Sequence, residues 1–125
     1  MLVTLGIGLH VDYQILFKTG RHLAAAGVRV FAYEDCPYAI HTLSGLDVRL
    51  DQIRHAASAP VLVSIAETLE CRIEAIGCYT SQVPVIFRFT EDYASAVRSF
   101  LESRGNSQGL VERLWPVLLV QDDAG

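Results

Sequence analysis

The sequence predicts an α/β domain, and two observations carry the prediction. Short apolar runs alternate along the chain with longer amphipathic stretches, the order expected when strands are connected through helices. The run Val28-Arg29-Val30-Phe31-Ala32-Tyr33 holds a single charge, as suits a strand of a mainly parallel sheet covered on both faces. With 125 residues, the chain is long enough for one domain with a single core, spanning 1–125, and too short for two.

The elements follow in order. Leu2–Gly6 reads as a buried strand. From Val11 to Ala26 the apolar residues Ile15, Leu16, Leu23 and Ala26 fit a helix that Gly27 ends from the C′ position. Val28–Tyr33 is the second strand, and Glu34–Ala39 breaks structure at Pro37. Ile40–Ala59 is weakly patterned, with a short helix expected around Leu50–Ala57. Pro60–Glu67 offers a third strand, and Ser64-x-x-Glu67 spells a capping box. The helix it opens sets Ile65, Leu69, Ile73 and Ile76 on one face and Glu67, Glu70 and Glu74 on a solvated one. Val83–Phe89 is a short extended candidate. Thr90 then caps a helix over Glu91–Arg104, with Tyr93, Val97, Phe100 and Leu101 inward and Gly105 at its end. Leu110–Val120 closes the chain as a further strand. No repeat, linker or low-complexity tract interrupts this order.

Composition excludes several functions. The chain is 51% hydrophobic and 19% charged, which speaks against disorder. Its net charge is −4, and Arg49, Arg54, Arg98 and Arg104 are scattered among acids. A nucleic-acid partner would need a clustered basic face. No apolar run reaches the length of a membrane span, and Lys18 and Arg21 fall where a signal peptide would have to be apolar. Cys36, Cys71 and Cys78 are odd in number and show no C-x-x-C spacing. Buried thiols of a reducing, cytoplasmic chain are the expectation.

The stretch Gly6-Ile7-Gly8-Leu9-His10-Val11-Asp12-Tyr13 joins the first strand to the first helix. Gly6-x-Gly8, with Glu34 and Asp35 after the next strand, outlines a dinucleotide fingerprint. It lacks the third glycine, where Val11 stands, and Asp12 would repel a pyrophosphate. Alternatively, a histidine two residues from a carboxylate suits acid/base or metal work, the carboxylate fixing the imidazole tautomer or holding a cation. The plainest alternative is that Asp12 caps the helix. Local spacing leaves these open. Elsewhere, Cys36 and His41 could begin a metal site, but no second pair completes four ligands, and His22 and His55 read as structural.

Taken together, Gly6-x-Gly8-x-His10-x-Asp12-Tyr13, Tyr33-Glu34-Asp35-Cys36-Pro37-Tyr38, Arg72-x-x-Ala75-Ile76-x-x-Tyr79-x-Ser81-Gln82 and Glu112-Arg113-x-Trp115 resemble the C-terminal half of the PIG-L/LmbE-like zinc deacetylases. That family typically reads G-x-G-x-H-x-D-H, Y-E-D-x-P-Y, K-x-x-A-I-x-x-Y-x-S-Q and E-R-x-W in this order. The resemblance implies a partial Rossmann-like, three-layer α/β domain and metal-dependent hydrolysis of N-acetyl groups on N-acetylglucosamine-type substrates. By resemblance, His10 matches the family's oxyanion-stabilising or general-acid histidine and Asp12 the aspartate that orients it. Tyr13 stands where the family has its third zinc ligand, and Arg72 where a lysine is usual. Gly8, Glu34, Asp35, Tyr38, Arg72, Tyr79, Ser81 and Gln82 are implied as pocket wall.

The departures set the functional expectation. No H-P-D-D, the source of the family's other zinc ligands and its general base, occurs in the sequence. A phenol such as Tyr13 must lose a proton of pKa ~10 before it can ligate, which a neutral imidazole need not. Deacetylation by this chain alone would therefore lack both Lewis acid and activated water. No cofactor is expected for the chain alone, zinc being the family's. The expected partner is a second copy or a complementary chain bearing H-P-D-D, meeting it near Leu2–Gly6 through unpaired backbone and apolar faces.

Overall fold

The computed structural model describes residues 1–118 apart from Leu9, Pro37, Thr42 and His55, and omits the side chains of His41, Leu43, Ser44 and Asn106. Readings that fall on Pro37, His55, the His41 side chain or 119–125 lie outside the described residues. The fold is α/β, with strands β1 (Leu2–Thr4), β2 (Phe31–Tyr33), β3 (Val61–Ser64) and β4 (Val111–Pro116) in the sheet order β1-β2-β4-β3. The helices are α1 (Val11–Ala25), α2 (Tyr38–His41), α3 (Leu43–Ile53), α4 (Leu69–Gly77), α5 (Val83–Ile86) and α6 (Tyr93–Gly105). The sheet is mixed rather than mainly parallel. β1 runs parallel to β2 with Val3 opposite Ala32, whereas β4 returns antiparallel to β2 with Trp115 opposite Ala32.

Contacts divide the chain into two compact units, Met1–Val61 with Arg113–Gly125, and Leu62–Glu112. In the first, the β1–α1–β2 crossover sets the geometry. The helix was expected to turn Ile15 and Leu16 inward, yet they are 56% and 44% exposed, and Phe17, Gly20 and Ala24 are buried instead. Packing distance explains the difference. A Cβ on Gly20 would lie 3.1 Å from Val3 and 3.2 Å from Val30, so the missing side chain is what lets the helix approach both strands. Gly27 ends α1 with φ +89°, as its C′ position requires.

β1 is shorter than Leu2–Gly6 and lies at an edge of the sheet. Val3, Thr4, Leu5 and Ile7 are buried, leaving Met1 and Leu2 as its exposed apolar residues. α3 covers Leu43–Ile53 rather than Leu50–Ala57. Its inward face is Leu46, Arg49 and Ile53, so the helical period is complete only if an arginine is counted among the buried residues.

In the second unit, Leu69 and Ile73 of α4 and Val97, Phe100 and Leu101 of α6 are buried as their spacing predicts. The Tyr93 hydroxyl donates to the Ile73 carbonyl at 3.4 Å, and Arg98 Nη2 donates to Glu70 Oε1 at 2.7 Å. The termini differ from their sequence signals. Ser64 belongs to β3 and Thr68 takes the N-cap position of α4, because the residues between them turn, with Thr68 N–H on the Ile65 carbonyl at 3.0 Å. Asp92, not Thr90, caps α6 by accepting from the Ser95 N–H at 3.0 Å and the Ser95 hydroxyl at 2.7 Å. These bonds hold the Asp92 carboxyl below its usual range. Val83–Phe89 is not extended: Pro84 sits in the first turn of α5, where its fixed φ suits a helix and its absent N–H costs nothing. Cys71 and Cys78 are exposed rather than buried thiols, and Cys36 is half-buried. Among the described residues, no helix is long and apolar enough to cross a membrane.

The close approach at Gly20 is testable. Gly20→Leu should destabilise the fold by about 1–3 kcal/mol in urea titration through overpacking, while Ala25→Leu on the exposed face should stay within about 0.5 kcal/mol of the parent.

Candidate functional site

The candidate site lies where the parallel strands β1 and β2 end, the position at which α/β sheets place their ligand loops. After β1 the chain leaves the sheet ladder through Leu5, Gly6 and Ile7, all of whose polar backbone groups must be satisfied inside the protein. Leu5 N–H still reaches the Tyr33 carbonyl at 2.8 Å. Its carbonyl accepts from Arg49 Nε at 2.7 Å. The next two amides, Gly6 N–H and Ile7 N–H, both donate to Asp35 Oδ2, at 3.0 and 3.3 Å. Gly6 and Gly8 have φ of +82° and +84°, and the Arg49 guanidinium would meet a Cβ on Gly6 at 3.3 Å. The glycines therefore serve the turn itself. The amides that would cradle a phosphate are occupied by the Asp35 carboxylate, which disposes of the dinucleotide outline.

Burial pushes the Asp35 carboxyl from 3.8 up to about 6, against the lowering effects of the two amides and Arg49. Arg49 is itself buried and held below its ordinary value by desolvation, with Asp35 acting in the opposite direction. Its guanidinium lies 4.8 Å from the Phe17 ring centroid, in cation–π contact. Arg49 is a residue that sequence reasoning passed over. The signal was its place in the Leu46–Arg49–Ile53 spacing of α3.

Beyond this turn, His10 is the N-cap of α1. Its Nδ1 accepts from the Asp12 N–H at 3.3 Å, and its carbonyl takes the first helical bond from Gln14 N–H at 3.1 Å. Both readings of the pair are thus corrected. The Asp12 carboxylate does not cap the helix, since the imidazole does. Nor does it hold the ring in a hydrogen bond, because Asp12 Oδ2 stands 3.7 Å from His10 Nδ1 with both side chains exposed. An accepting Nδ1 carries no proton, so this arrangement belongs to the neutral ring protonated at Nε2. Tyr13 packs behind, its ring centroid 5.3 Å from His10 and 5.7 Å from Tyr38. Burial first, then Tyr38, Asp35 and Tyr33, raise the Tyr13 hydroxyl to about 12. Tyr13 keeps its proton. The site therefore offers His10 and Asp12 as metal donors and a phenol that does not ionise, a set that does not fit a three-ligand zinc centre. Among the described residues no group of three His, Cys, Asp or Glu side chains could hold a metal.

Glu34 points away from the loop. Its side chain is 4% exposed, and its Oε1 accepts from Arg113 Nε at 2.6 Å, Arg113 Nη2 at 2.5 Å and Trp115 Nε1 at 3.1 Å. Oε2 is buried without a hydrogen-bond partner. Arg113 also lies over the Trp115 ring at 5.3 Å. Glu34 is thus a structural anchor to β4 rather than a pocket-wall group.

The remaining candidates belong to Leu62–Glu112. Arg72 of α4 is ion-paired with Glu112, which accounts for the basic residue there without a ligand. Tyr79 is 69% exposed, and its carbonyl accepts from Gln82 N–H and Val83 N–H at 2.9 Å each. Gln82 occupies the N-cap position of α5 without a side-chain capping bond, and Ser81 lies exposed in the same turn. The Tyr79–Gln82 stretch builds the entry to α5. No protein-family model, curated protein or solved structure matches the chain.

Two predictions follow from these charges. The folded chain holds the Asp35 proton more tightly than the unfolded one, so this group's contribution to stability is complete below about pH 4 and is lost as pH rises through about 6. The loss, on the order of 1–3 kcal/mol, should appear as the difference between parent and Asp35→Asn denaturation curves across that window. NMR should show the Asp35 carboxyl titrating near pH 6. Separately, Arg113→Leu leaves Glu34 buried without a counter-charge and should cost about 2–4 kcal/mol, much of it recovered in the Glu34→Leu, Arg113→Leu double variant.

Proposed function

We propose that these 125 residues carry the His10–Asp12 portion of a PIG-L/LmbE-like N-deacetylase site, within part of a Rossmann-like three-layer domain, and that the chain is catalytically incompetent by itself. The observation that carries this reading is the convergence of motifs at one sheet end. β1 delivers His10, Asp12 and Tyr13, β2 delivers Asp35 and Tyr38, and Asp35 bonds to the very loop that leads to His10. Four motifs in the order typical of that family support it further, as does the way Glu34 of the second is tied to Arg113 and Trp115 of the fourth.

On this reading the chain's own residues do limited work. His10, as the Nε2-protonated ring, presents a hydrogen-bond donor to a developing oxyanion. Asp12 stands exposed beside it, its Oδ2 3.7 Å from His10 Nδ1. Zinc would supply the Lewis acid in the family, and His10, Asp12 and a protonated Tyr13 are a poor donor set for it.

A second reading is favoured by one observation. Val11, Ile15 and Leu16, at 62%, 56% and 44% exposure, put apolar surface on α1 immediately after His10. Such a cluster next to a candidate site is where another chain would be seated. That chain would carry the H-P-D-D half, and the pair would form a split deacetylase. Otherwise the fold serves as a binding or assembly module.

Amine release from N-acetylglucosamine conjugates separates these readings. The purified chain should give none above the protein-free control, and calorimetry should show no stoichiometric zinc binding tighter than about 10 μM. Addition of an H-P-D-D-bearing half should restore turnover that falls at least ~100-fold in His10→Ala. Sub-micromolar zinc binding lost in His10→Ala would overturn the proposal of an incompetent chain. Activity of the chain alone would do the same.

A further inference from the structure

The unit Leu62–Glu112 holds a cavity of about 550 Å³ between α5 and the start of α6, within the size range of small-molecule sites. Its lining is aromatic and apolar, from Pro84, Phe87, Phe89 and Tyr93, and it carries two opposite charges, Arg88 and Glu91. The aromatic wall is fixed. Phe87 is buried with its ring 5.6 Å from Tyr93 and 6.0 Å from Phe89, and the Tyr93 hydroxyl is tied to the Ile73 carbonyl. Gly77 makes room for that hydroxyl, since a Cβ there would lie 2.4 Å from it.

The two charges are unspent. Asp92 has taken over the capping of α6, and Thr90 is engaged with the Asp92 N–H at 3.1 Å. Arg88 and Glu91 pair neither with each other nor with any other described residue. A cation and an anion three residues apart, over an apolar aromatic wall, match a ligand that bears both charges at one end and a hydrophobic body at the other. We propose that this cavity binds a free amino acid with an aromatic or long aliphatic side chain. Arg88 takes the α-carboxylate, Glu91 takes the α-ammonium, and the side chain lies against Pro84 and Phe89.

The chemistry narrows the choice. A phosphorylated ligand would meet Glu91 with like charge, and a simple carboxylic acid or amine would leave one of the two charges without a counterpart. The interior of a peptide carries neither charge. This inference does not rest on the deacetylase reading, and its test uses neither zinc nor an acetylated substrate.

The experiment is titration of the full chain with L-phenylalanine, followed by NMR shifts of the 83–93 amides and by calorimetry. Saturable binding is expected, with phenylacetate, phenethylamine and glycine each binding about tenfold more weakly or worse. Arg88→Gln and Glu91→Gln should each weaken L-phenylalanine by about tenfold, with far-ultraviolet circular dichroism unchanged because both residues are exposed. No saturation up to roughly 10 mM ligand would overturn the proposal. So would phenylacetate or phenethylamine binding as tightly as L-phenylalanine, glycine doing so, or affinity indifferent to either charge variant.

Discussion

Most of what the first unit can do depends on how three backbone groups are satisfied where β1 leaves the sheet. The Leu5 carbonyl, the Gly6 amide and the Ile7 amide have no ladder partners there and are closed off from water. Left unmade, each such bond would cost about 1–3 kcal/mol. Arg49 and Asp35 supply all three bonds from two different elements. Bringing two ionisable side chains inside to do this is expensive, and the opposed perturbations of Asp35 and Arg49 express that cost. In exchange the chain is held where it leaves β1, from Leu5 through Ile7.

This arrangement also explains why a glycine-bearing turn after a strand here is not an anion site. The amides point inward to a carboxylate of the same chain, not outward to a ligand. What the turn offers to solvent is the His10 imidazole, and that ring is committed through Nδ1 to the first turn of the helix. The geometry leaves Nε2 as its chemically available atom, which suits hydrogen-bond donation better than metal binding through Nδ1.

Much of this was legible in the residues. The alternation of strands and helices, the buried faces of α4 and α6 and the αL turn at Gly27 follow from spacing and from the conformational freedom of glycine. Where the reading failed, a residue was doing what its type seldom does. Arg49 sits on the buried face of α3, which hid that helix from a count of apolar positions. Gly20 marks the packed face of α1 through absence of a side chain, while the large apolar residues Ile15 and Leu16 face outward. Pro84 opens a helix inside a run that looked extended. At the site, the H-x-D spacing correctly puts His10 and Asp12 together, but histidine is outside the usual set of capping side chains, so the direction of the bond between them could not be read. Asp35 was placed near the loop by motif order, yet its inward role depends on the register of β1 against β2, which no local pattern contains.

The arrangement on β4 has a consequence for how this segment can vary. Arg113 and Trp115 both engage Glu34, so alternate residues serve one side of the strand as its two-residue period dictates. Replacing one of these side chains removes one anchor. Inserting or deleting one residue before Arg113 is a different kind of event, because it reverses the parity of the strand and turns Arg113 and Trp115 to its other side together. Glu34 would lose both of its buried partners at once. The segment can therefore drift in composition more readily than in length, and tolerated indels belong to the turns that flank it.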